Sequence, residues 1–156
     1  MSLSNALDAA LKLKVALATE VARSKDVRHI LKDLRSSELL AQATVRQAFN
    51  EHSAYLSSVL TRAVAEYAAS LGQGDVTLEQ IRQAAPFEGE QLTGVFAELR
   101  ALSAALAELD AFNFHLAERA LTFVKAYVCH LAPRPTAYTR RGQLAPTEAG
   151  THSEHI

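Results

Sequence analysis

From Leu92 to Tyr127 an apolar or seam residue returns in alternating steps of three and four: Leu92, Val95, Leu99, Leu102, Leu106, Leu109, Asn113, Leu116, Ala120, Phe123, Tyr127. Five heptads in one register specify a long helix whose seam must be covered by other helices. Asn113 is the one polar member. A polar residue at a seam position costs stability and favours one register or partner arrangement over others, so Asn113 reads as register control, with direct ligand contact as the alternative.

The rest of the chain supplies the covering helices. Leu3, Leu7, Leu11, Val15, Ala18 and Ala22 mark one face of a first helix, with Ser4 or Asn5 as its cap. The stripe lapses at Arg23-Ser24-Lys25-Asp26 and resumes at Val27, Ile30, Leu31 and Leu34; the helix either continues with a solvated turn or kinks there. Ser36 and Ser37 signal a second start. That helix presents Leu39, Ala43, Phe49, Leu56, Val59, Leu60, Ala63, Val64, Tyr67 and Leu71 before Gly72 ends it. Thr77 with Gln80 forms a capping-box pattern opening a short helix over 78–85, which Pro86 closes. The long fourth helix is expected from near Glu88 to just before Pro133.

These elements predict an all-α, elongated antiparallel bundle of long helices with a short connecting helix over residues 1–132. Residues 133–156, with two closely spaced prolines and no periodicity, read as a flexible C-terminal tail. Apolar residues make up 49% of the 156 and charged ones 21%, a balance that fits helices burying one face. A net charge of -1 gives no overall pull toward nucleic acid. The single Cys129 has no disulfide partner within the chain, which makes a reducing compartment the default. No signal peptide and no apolar run of membrane-spanning length is read, so membrane insertion is not expected.

Catalytic patterns are not apparent. A di-iron bundle needs two Glu-x-x-His pairs, and the nearest approach is Asp26 with His29, read as a solvated pair. His52 lies between Phe49 and Leu56 and is expected to be partly buried or snorkelling. His115 and Glu118 read as an exposed helix pair, while His152 and His155 are too few to make a metal tract. Cys129 stands near Lys125 and His130 without an acid, base and oxyanion arrangement around it. The chain is therefore expected not to be an enzyme and to need no cofactor. In the tail, Tyr138 stands alone between Pro135 and Arg140-Arg141-Gly142; tyrosine and arginine are the types that anchor interfaces, so the tail reads either as a segment that orders on binding or as a solvated end.

The stretch LDAFNFHLAERALTFVKAYVCHLAPRPTAYTRRG, residues 109–142, resembles the C-terminal part of FlgN-type flagellar export chaperones. The matching positions are Asn113, Leu116, Leu121, Phe123, Val124, Tyr138 and Gly142; Asp110 stands where that family often carries a second Asn. The resemblance implies a cytoplasmic chaperone of the flagellar type III pathway. Its partners would be the junction proteins, hook-associated proteins 1 and 3, together with export apparatus components, and it implies neither catalysis nor a cofactor. It also implies that the C-terminal region captures an amphipathic helix of the client. Phe123, Val124, Tyr127, Val128 and Leu131 would then be the apolar anchors, with Tyr138, Arg140 and Arg141 closing over or orienting the client. The alternatives are a structural or adaptor coiled coil that oligomerises through the seam, and a helical regulator with a ligand pocket near Asn113 or His52.

Overall fold

The structure is a computed structural model and describes residues 3–131. Four helices follow one another: α1 (Ser4–Lys32), α2 (Ser36–Ser70), α3 (Leu78–Ala84) and α4 (Pro86–Leu131). The expected all-α bundle is present. The chain divides into two compact units, 1–120 and 121–156, and the expected tail at 133–156 lies outside the described residues.

In the first unit α1, α2 and α4 run up, down and up. Arg46 of α2 bonds Glu20 of α1 and Asp110 of α4, while Lys14 meets Glu98 and Asn113 meets Ser24. The core joins Leu13 and Leu17 of α1, Leu56 and Leu60 of α2, Ile81 of α3 and Leu92, Val95, Leu99 and Leu106 of α4. The α4 seam is thus in place: it is buried at those four positions, and partly buried from Leu109 to Ala120.

The inward face of α1 differs from the expected one. Its buried row is Leu3, Ala6, Ala10, Leu13, Leu17, Glu20 and Ser24, whereas Leu11 and Val15 are exposed, Val15 to 64%. Ala18 and Ala22 also face solvent. The reason is period. The expected stripe advances about 3.8 residues per turn and drifts round the helix, while the observed row keeps the roughly 3.5-residue step of the α4 seam and stays opposite it. Three small side chains in that row also fit a close helix approach.

α2 follows the same rule. Its inward positions are Leu39, Gln42, Arg46, Phe49, Ser53, Leu56, Leu60, Ala63 and Tyr67, again in steps of three and four. Ala43 and Leu71 are exposed, contrary to the expected face, and so is His52. The stripe of large apolar residues overlooked Gln42, Arg46 and Ser53, which are polar and yet belong to the seam.

The turns are closed by backbone geometry more than by side-chain caps. α1 runs unbroken through Arg23-Ser24-Lys25-Asp26. Its N-cap is Leu3 rather than Ser4 or Asn5, and no side-chain hydrogen bond is made from that cap. Between α1 and α2 the Leu34 N–H donates to Leu31 O and the Arg35 N–H to Ile30 O, a Schellman closure with Leu34 at φ 52°. Arg35, not a serine, is the N-cap of α2, and its guanidinium pairs with Glu38 at 2.8 Å. At the far end of α2 Gly72 takes φ 73° in the same motif, with the Gln73 N–H donating to Ala68 O.

The Thr77–Gln80 capping box forms reciprocally: the Gln80 N–H donates to Thr77 Oγ1 at 3.2 Å and the Thr77 N–H to Gln80 Oε1 at 2.8 Å. α4 starts at Pro86, two residues before the expected position. Proline suits the first helical position, where its missing N–H would have no partner and its φ is already helical. Ala85, held out of the helical region as pre-proline residues are (φ -139°, ψ 82°), is therefore the whole α3–α4 connection. That sharp corner presses α3 on the buried Gly89, where a Cβ would stand 2.6 Å from the Arg82 Cα.

Candidate functional site

In the second unit the described residues are the last three turns of α4, Leu121–Leu131, and every one is exposed. Six are large and apolar: Leu121, Phe123, Val124, Tyr127, Val128 and Leu131. Phe123 is 65% exposed and Tyr127 58%, and their rings lie nearly parallel at 6.5 Å between centroids. At about 100° per residue the six span an arc of roughly 160° on one side of the helix. Lys125 borders one edge of this arc and His130 the other, while Thr122, Ala126 and Cys129 fill the opposite side. All five anchors expected on this helix thus stand together on one exposed face. Tyr138, Arg140 and Arg141 lie outside the described residues.

A helix this short of covering neighbours leaves its apolar face in water, at roughly 25 cal/mol for each Å². Contiguous exposed apolar surface of this kind marks an interaction site more often than an accident of composition. Its chemistry is that of shape and burial: Cys129 is an exposed free thiol, and no group of three or more His, Cys, Asp or Glu side chains that could hold a metal occurs among the described residues. Among them no helix is long and apolar enough to cross a membrane.

A second cluster sits inside the first unit, around Asn113. Glu20, only 2% exposed, receives Arg23 from the next turn of α1 and Arg46 Nη1 from α2 at 2.8 Å. Arg46 also grips both carboxylate oxygens of Asp110, at 3.1 and 2.5 Å. Arg23 Nη1 reaches Gln42 Oε1, and Asn113 Nδ2 donates to the Ser24 carbonyl at 2.9 Å, leaving Asn113 Oδ1 buried without a partner. Burial opposes the charge on Arg46, but the bonds and attraction of Asp110 and Glu20 outweigh it and raise its pKa above the ordinary guanidinium value. A cleft of about 340 Å³ opens beside these groups, lined by Val27, Leu39 and Ala43 as well as the polar residues.

Two carboxylates and two guanidiniums pair off within this layer, so no spare charge faces the cleft. What it can do is fix register: Glu20, Arg46 and Asp110 meet only when the three helices are aligned as observed. Of this layer the sequence pointed to Asn113 as a polar seam residue and to Asp110 only through the family resemblance, and it gave no role to Glu20, Arg46 or Gln42. The signal for Glu20 and Arg46 was present, since each falls on a strict three-four row of its helix, but it emerges only when polar residues are admitted to the row. His115 and Glu118 form the expected exposed pair, with Nδ1 3.4 Å from the carboxylate, and Asp26 and His29 are both exposed.

No family model, no curated protein and no solved structure matches the chain.

Proposed function

We propose that this chain is a FlgN-type flagellar export chaperone, holding hook-associated proteins 1 and 3 in the cytoplasm before they pass through the type III export apparatus. One observation carries the reading: the six large apolar side chains exposed together over Leu121–Leu131, on the segment whose residues resemble that family. A client helix with an apolar stripe is an aggregation hazard, and a helix-to-helix contact along this face covers both partners' apolar surface reversibly. The function asks for no reacting group. Tyr138, Arg140 and Arg141 complete the grip on the client, as tyrosine and arginine side chains do at interfaces.

The alternative of a self-associating coiled coil has less material to work with than the heptads promise. From Leu92 to Leu106 the seam is already filled by α1 and α2, and only its last turns remain for another chain.

Co-purification with a junction protein tests the proposal. Deletion of residues 133–156 is expected to preserve the helical circular-dichroism signal and to abolish capture of the client; capture that survives the deletion removes the tail from the mechanism. Phe123→Asp in the full chain is expected to weaken the complex by about 2 kcal/mol or more, as loss of an interface anchor does. Unchanged client affinity in both variants would rule the proposal out.

A further inference from the structure

We infer that the end of the α1–α4 groove around Arg28, Phe112 and Arg119 is a binding site for an acidic peptide segment. The site lies within the first unit and is independent of the Leu121–Leu131 face.

A cavity of about 430 Å³ opens on α4, lined among the described residues by Phe112, His115, Leu116 and Arg119. Phe112 is 47% exposed, and Arg28 of α1 lies over its ring, the guanidinium carbon 4.3 Å from the centroid. The Arg28 Nε is buried and has no hydrogen-bond partner. Stacking occupies the face of a guanidinium and leaves its edge, whose adjacent N–H groups match the two oxygens of a carboxylate. A buried donor without an acceptor is costly, so a carboxylate arriving at the rim supplies what Arg28 lacks once the side chain turns outward.

Free positive charge gathers at the same place. Residues 1–120 hold twelve Lys and Arg against fifteen Asp and Glu, and six of the twelve are ion-paired. Four of the other six converge here: Lys25, Arg28 and Lys32 in steps of three and four along one face of α1, and Arg119 two turns beyond Phe112 on α4. Lys32 stands in the last turn of α1, where the helix dipole alone favours a cation, so the weight rests on Arg28 and Arg119. Acids nearby are engaged or turned away. Glu118 meets His115, Asp33 and Glu38 meet Arg35, and Asp26 is about 200° round α1 from Arg28. Glu108, one turn before Phe112, marks where the basic stretch ends.

The chemistry of the occupant follows from this pairing. Carboxylates answer the arginines, and an apolar side chain between them rests on Phe112 and Leu116, where reduced contact with water strengthens the attraction. Nucleic acid asks for a basic surface that follows many phosphates, whereas this one is confined to one end of an acidic unit.

Two peptides test the site on the isotope-labelled full chain: acetyl-Glu-Glu-Phe-Glu-Glu-Leu-amide, and the same peptide with Gln for every Glu. The Glu peptide is expected to shift the Arg28 Nε–H signal in NMR titrations and to bind about tenfold more tightly than the Gln peptide, the scale that a few exposed ion pairs supply. Arg119→Gln alters an exposed, unpaired side chain, so it should leave the thermal melt in place and weaken the Glu peptide about threefold; adding Arg28→Gln should bring the loss to about tenfold. No shift at Arg28, equal affinity for the two peptides, or undiminished binding by the Arg119→Gln and double variants would each overturn the inference. A short oligothymidylate is the rival probe: tighter binding than the Glu peptide at the same Arg28 signal would mark a nucleic-acid site instead.

Discussion

Leu34 holds a conformation that suits glycine. At φ 52° its Cβ crowds the backbone, a cost of about 1–2 kcal/mol. Leu34 is 44% exposed, so the packing lost on removing its side chain is partial. Leu34→Gly removes the strain and restores some unfolded-state entropy, so a net gain of about 0.5–1 kcal/mol is expected, read as a higher urea midpoint at unchanged slope. Two glycines of α4 behave in opposite ways. Gly94 has open space where a Cβ would go, and Gly94→Ala should stabilise by up to about 1 kcal/mol through helix propensity. At Gly89 the new methyl meets the Arg82 Cα at 2.6 Å and its N at 2.8 Å; both are backbone, so α3 itself must move. Gly89→Ala is expected to destabilise by about 2 kcal/mol despite the same propensity gain. Thermal melts of the pair decide it: shifts of equal sign would refute the close approach.

The helices are locked to one another where the seams turn polar. Glu20 is almost fully enclosed, so Arg46→Ala strands a buried carboxylate with Arg23 as its remaining cationic partner, and a loss of about 3 kcal/mol is expected. Pairing that change with Glu20→Leu should restore most of the loss, because an apolar pair of suitable volume often does as well as a buried ion pair. A double-mutant cycle by urea unfolding measures the coupling, and strictly additive effects would remove the proposed lock. The pH response follows from Arg46. A pKa raised on folding contributes stability that is full below the unfolded value and is lost only as pH climbs through the folded one. Arg46 therefore stays charged, and its pairing should hold unchanged from neutral pH to pH of about 10.

At the scale of the whole molecule, apolar surface divides into a part the chain covers and a part it leaves open. The α4 seam is buried through Leu106, yet Leu121 to Leu131 has six large apolar side chains in solvent. If that face is for docking, changing it should leave folding alone: Val128→Ser is expected to shift the melting temperature little while lowering client affinity. A large loss of stability in Val128→Ser would show instead that the face is covered within the chain. The four helices, the Thr77–Gln80 box and the Gly72 stop were legible in the sequence, as was the shared face of the apolar residues Phe123, Val124, Tyr127, Val128 and Leu131, whose exposure only the structure gives. The inward face of α1 was not. Leu7, Leu11 and Val15 are as apolar as Leu3, Leu13 and Leu17, and nothing in α1 alone says which row a neighbour will match.

Local chemistry thus decided what kind of element each segment is. Periodicity, proline, glycine and capping pairs act through the few residues on either side, and they made this chain helical with breaks near Ser36, Gly72 and Pro86. Tertiary structure decided which faces meet. Only the alignment of three seams with a common roughly 3.5-residue step buried Glu20, joined it through Arg46 to Asp110, and turned Val15 outward. Those choices depend on partners up to 89 residues away in the chain, as Asn113 is from Ser24, and a row of positions on one helix does not say which distant row it will meet.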